Sequence, residues 1–133
     1  MSERSRAIEL YEKYDKGELD ITSFLSQYGK EIFFYSTPFG EKKDGSKALF
    51  VLNAPENTGY LPIFSNTDRA KEFFEKTERA GYILMESTFH DILTTAKKAN
   101  EKTPIKLGII VDPGYPGVNV EVKNLDAIIK ATV

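Results

Sequence analysis

The sequence predicts an α+β fold: a single domain over residues 1–133 in which a mixed β-sheet packs against helices, with two helices at the N-terminal end. Three observations carry this. Apolar residues recur twice at helical spacing within the first 29 positions; the texture then turns aromatic and branched around an Asp-Gly pair; and from Tyr60 onward strand and helix patterns alternate. At 133 residues, 41% hydrophobic and 29% charged, the chain can bury one sizeable core. No repeat, linker or low-complexity tract divides it.

Each element has its own justification. Ala7, Leu10, Tyr11 and Tyr14 form one stripe of a first helix that ends near Gly17. A second begins at Asp20, a capping residue, with Leu19 placed to staple against Phe24, and carries Ile21, Phe24, Leu25 and Tyr28 before Gly29. The segments EIFFYSTPF and KALFVLN read as strands, and Asp44-Gly45 between them is a hairpin signal, so the two are expected to pair antiparallel. NAPENTG is a loop. YLPIFS is a further strand in which Pro62 lacks a ladder donor, which places it at an edge or a bulge.

Asn66 caps the next helix, with Ala70, Phe73, Phe74 and Thr77 on one face and Gly81 as its stop. YILMES returns to strand. Thr88 and Asp91 resemble a capping box before the stripe Phe89, Ile92, Leu93 and Ala96. IKLGIIV is the most continuously apolar strand and the candidate for the sheet centre, buried on both faces. VNVEV is a short strand, and a last helix capped by Asn124 packs through Leu125, Ile128 and Ile129.

Composition excludes several functions. Without cysteine there is no disulfide framework or thiolate metal site, and a single histidine, His90, makes a metal centre unexpected. Eighteen basic and twenty acidic residues with scattered lysine pairs offer no concentrated basic face, so nucleic acid is not an expected partner. MSERSRAIEL lacks the apolar region of a signal peptide, and no apolar run nears the roughly 18 residues of a membrane span. A soluble cytoplasmic protein, off the membrane, is expected.

From Glu31 onward, about three quarters of the chain, the order and wording of the elements resemble the N-terminal domain of the SseB family, the enhanced-serine-sensitivity proteins. The pieces that match are the aromatic strand with a proline, FFYSTPF; YLPIFSNTDRAKEFF, a Pro-x-Phe-Ser run into a helix; and GIIVDPG followed by VNVEVKNLDAII. Asp112 stands where the family's asparagine is expected. The resemblance implies an α/β-type fold and a bacterial protein, and it implies no established reaction.

The residues by themselves point away from catalysis. There is no Gly-x-Ser-x-Gly elbow and no cysteine nucleophile; Ser36, Ser65 and Ser87 fall at strand ends and helix caps. DPGYPG, after the central strand, lacks phosphate-loop spacing and precedes a strand rather than a helix, so no nucleotide or other cofactor is expected. Asp-Pro starts a turn, and Gly114 and Gly117 can take positive φ, so the loop can be a plain connection. It can also present Tyr115, held between two prolines, for recognition. The cluster Phe33, Phe34, Phe39 and Tyr35 could form a ligand box but reads first as core on one strand face and edge on the other. The leading expectation is therefore a non-enzymatic protein-binding domain, an immunity or regulatory protein, using Tyr60, Pro62, Asp112 and Tyr115. The alternative is a small-ligand site or enzyme whose pocket uses Asp112, His90 or Glu86.

Overall fold

The computed structural model describes residues 6–54 and 57–132. The fold is α+β. Helices α1 (Arg6–Asp15) and α2 (Ile21–Tyr28) open it, followed by strands β1 (Ile32–Tyr35), β2 (Phe39–Glu41), β3 (Lys47–Leu49), β4 (Leu52–Ala54) and β5 (Thr58–Ile63). Helix α3 (Thr67–Lys76), strand β6 (Met85–Thr88), helix α4 (Phe89–Asn100), strands β7 (Lys106–Val111) and β8 (Asn119–Val120) and helix α5 (Leu125–Ala131) complete it.

The main sheet is mixed, in the order β4-β5-β7-β8: β5 runs parallel to β7 and the outer pairs are antiparallel. β7 is internal, as its apolar run predicts. β5 is also internal, unlike the edge position that Pro62 suggested. The resolution is local: β4 accompanies β5 only as far as Tyr60, and the next bridge on that side is Phe34 with Phe64. Pro62 sits in the gap between them, where no ladder donor is needed.

The hairpin prediction is corrected in its partner. β1 pairs with β6, in the register Phe33 opposite Ser87, and the Asp-Gly hairpin joins β2 to β3 instead. The reason is that consecutive strand residues face opposite ways. Phe33 enters one core with Tyr28 and Phe89, while Phe34 packs on a second with Phe64 and Phe74. The chain does the same at the end of β5, with Ile63 in the first core and Phe64, just beyond the strand, in the second. The larger core lies under α1, α2, α4 and α5, and the smaller under α3.

Caps legible in the sequence form as hydrogen bonds. Asp20 accepts from the Ser23 N–H at 2.7 Å, Asn66 from the Arg69 N–H at 2.9 Å, and Thr88 from the Asp91 N–H at 3.2 Å. Other boundaries differ. α3 stops at Lys76 because Glu78 takes φ 59°, short of Gly81. Asn124 makes no capping bond, since a 3-10 turn at Val122–Asn124 runs directly into α5. YILMES is strand only from Met85, because Tyr82 packs on Phe74 instead of pairing. Ile21, placed on the second helix's apolar stripe, is exposed. The predicted loop at residues 53–59 falls partly on 55–56, outside the described residues. Among the described residues no helix is long and apolar enough to cross a membrane.

Candidate functional site

The parallel strands β5 and β7 end side by side, and the residues just beyond them build a polar latch. Asp112 follows β7 directly, its N–H donating to the Ile63 carbonyl at 2.8 Å. Its side chain is 3% exposed, and its backbone takes φ 49°, a left-handed conformation that aspartate and asparagine tolerate better than most residues. The Ser65 N–H donates to Oδ1 at 2.9 Å; the Ser65 hydroxyl and Arg69 Nη1 donate to Oδ2 at 2.6 and 2.8 Å. A carboxylate that accepts three donors, one a guanidinium, acts as a latch between the two strand ends and α3.

DPGYPG is a type II turn. The Tyr115 N–H returns to the Asp112 carbonyl at 2.9 Å, Pro113 holds the first corner, and Gly114 supplies φ 92° at the second. The turn delivers Tyr115, 40% exposed, onto α3. There the Arg69 guanidinium lies 3.9 Å from the ring centroid and the phenol donates to Glu72 Oε2 at 2.6 Å. That bond draws the Glu72 carboxyl below its usual range, with Lys76 adding to it, and pushes the Tyr115 phenol up. With one partner ionised and the other protonated, the clamp is intact at neutral pH.

Arg69 also lines a cleft of about 280 Å³ with Ile8, Tyr11, Lys16, Tyr28 and Asp112. Tyr28 is 2% exposed, and burial, then the Asp112 charge, drives its phenol far above the usual value. It therefore presents a neutral hydroxyl. Tyr28 lines the cleft, and no described residue hydrogen-bonds to its hydroxyl.

The expected surface residues thus divide. Asp112 and Pro62 are buried, Tyr60 is half-buried with its ring against Gly108, and Tyr115 alone of the four is exposed. Of the alternative set, only Asp112 lines the cleft. Glu86 is exposed on β6, opposite Phe34. His90 meets Thr132 instead, its Nδ1 2.8 Å from the hydroxyl. Thr132 spends its proton on the Ile129 carbonyl at 2.9 Å, so His90 Nδ1 carries the donated hydrogen. His90→Ala removes that one half-buried bond and is expected to cost about 1 kcal/mol, no more than Thr88→Ala through the cap. Urea melts of the two variants check this.

Sequence reading assigned Arg69 and Glu72 no role, and placed Ser65 at a strand end and Tyr28 on a helix stripe without joining them to this site. Arg69 and Glu72 stand three apart on one helix face, a legible signal, but their partners lie 43 positions away. Also missed is Arg79, a buried cation with no carboxylate partner among the described residues. It donates to the Thr37, Phe39 and Gly81 carbonyls and lies over Phe50 and Phe74, tying β2 to the smaller core. Among the described residues no group of three or more His, Cys, Asp or Glu is placed to hold a metal ion. No family model, no curated protein and no solved structure matches the chain.

Proposed function

We propose that this is a cytoplasmic, non-enzymatic recognition domain, similar to the SseB N-terminal domain, that serves as an immunity or regulatory protein by binding another protein through Tyr115 and the rim of the adjacent cleft. One observation supports the reading above others: Tyr115 is exposed yet held at both ends, its ring on Arg69 and its hydroxyl on Glu72. A tyrosine immobilised before binding forfeits little entropy when a partner covers it, which is what an interface anchor requires. Asp112 fixes Arg69 and so serves the anchor from beneath.

The test is capture from the source cells on immobilised wild type, Tyr115→Ala and Phe39→Ser, followed by calorimetry with the purified partner. A protein retained by wild type and Phe39→Ser, and bound about 1 to 3 kcal/mol more weakly by Tyr115→Ala at unchanged melting temperature, is the expected result. Retention indifferent to Tyr115, or unfolding of Tyr115→Ala, removes the surface from consideration.

A second reading, a small-ligand site, is favoured by Tyr28, which lines the cleft and whose hydroxyl has no hydrogen-bond partner among the described residues. The readings part on Tyr28→Phe. If a polar metabolite raises the melting temperature of wild type but not of this variant, the cleft is a ligand site.

A further inference from the structure

The β2–β3 hairpin carries an outer face that no described residue covers. Phe39 stands directly opposite Leu49, and Glu41 directly opposite Lys47. Alternation puts these four on one side of the ribbon and Gly40 and Ala48 on the other, where Gly40 abuts Arg79 and Phe50. Phe39 is 72% exposed and Leu49 41%. Glu41 and Lys47, though opposed, form no ion pair with each other or with any described residue. Phe39, Glu41, Lys47 and Leu49, with Gly40 and Ala48 between them along the ribbon, line a shallow depression there.

We infer that this face binds a second copy of the same chain, about a two-fold axis running along the strands between the two ribbons. The chemistry selects both occupant and axis. Turned about that axis, β2 of one copy lies over β3 of the other, as in stacked sheets roughly 10 Å apart. Phe39 then meets the Leu49 of the second copy, and Glu41 meets its Lys47, twice by symmetry. A two-fold across the strands instead sets each aromatic ring over a charge. The apolar pair and the unspent opposite charges are thus self-complementary in one arrangement. Arg79 prepares the ribbon for it, since its bonds to the Thr37 and Phe39 carbonyls hold β2 in place without touching the outer face.

Each strand of the ribbon is only three residues long, a small interface by the usual measure, so a weak dimer is expected, with Kd on the order of 0.1 to 1 mM. It uses none of the residues around Tyr115, and its failure leaves that reading standing.

Translational diffusion measured by NMR over a concentration series up to millimolar protein reads it directly. Wild type is expected to diffuse more slowly as concentration rises, and Phe39→Ser to associate about tenfold or more weakly. Glu41→Lys makes the charged pair all positive and Lys47→Glu all negative, so each alone is expected to stay monomeric. Mixed in equal amounts they are expected to associate as wild type does. Circular dichroism shows whether each variant keeps the fold; if one does not, the milder pair Glu41→Gln and Lys47→Gln is expected to weaken association with the fold retained. A wild type that stays monomeric throughout, whatever else this face binds, overturns the inference. So does association that persists in Phe39→Ser, or a mixture of folded charge variants that does not associate.

Discussion

Asp112→Ala is expected to destabilise the domain by about 3 kcal/mol, a fall of about 10 °C in melting temperature for a chain of this size. Three losses coincide. The Ser65 N–H, buried beside the removed carboxylate, is left without an acceptor. Arg69 loses its counter-ion, a loss that its partial exposure softens toward the low end of what a broken buried pair costs. Alanine must also hold φ 49°, which aspartate and asparagine tolerate better. Asp112→Asn keeps the left-handed preference and an oxygen for the Ser65 N–H, and is expected to recover most of the loss. Urea denaturation of the two variants separates shape from charge. If alanine melts with wild type, the latch holds nothing and Tyr115 is not supported from below.

Gly108→Ala is the second large effect, expected at about 2 to 3 kcal/mol. A Cβ built at Gly108 falls inside contact distance of the Val120 carbonyl oxygen, with the Glu121 Cα and the Tyr60 ring close behind. Two of the three obstacles are backbone, so no side-chain rotation relieves them; β8 must shift or its pairing with β7 must loosen. Gly81→Ala is the control, because nothing lies within 4 Å of a Cβ there, and it is expected to stay within about 0.5 kcal/mol of wild type. Amide exchange should rise in the Gly108 variant at Val111, whose N–H donates to the Val118 carbonyl. Equal unfolding midpoints for the two alanine variants would mean that the β7–β8 approach is not tight.

The sequence by itself determined what is settled within a few residues. Asp20, Asn66 and Thr88 each cap an N–H three positions on, and Pro113-Gly114 makes its turn across four residues. The apolar run of β7 likewise announces an internal strand wherever its neighbours come from. Such features depend on local hydrogen bonds and local steric limits, so their information lies beside them. Tertiary structure decided the rest. β1 had an adjacent candidate partner beyond a hairpin signal and took β6, some 50 positions away, because Phe33 and Phe34 each needed a different core. Asp112 sits in a loop whose wording predicts exposure, yet it is buried, since Ser65, 47 positions earlier, and Arg69 supply donors that offset the cost of removing its charge from water. Glycine at position 108 is needed only because the chain returns across it at Val120. Whether a group is paired, buried or crowded depends on atoms brought together by the whole fold, and no window of neighbouring residues contains them.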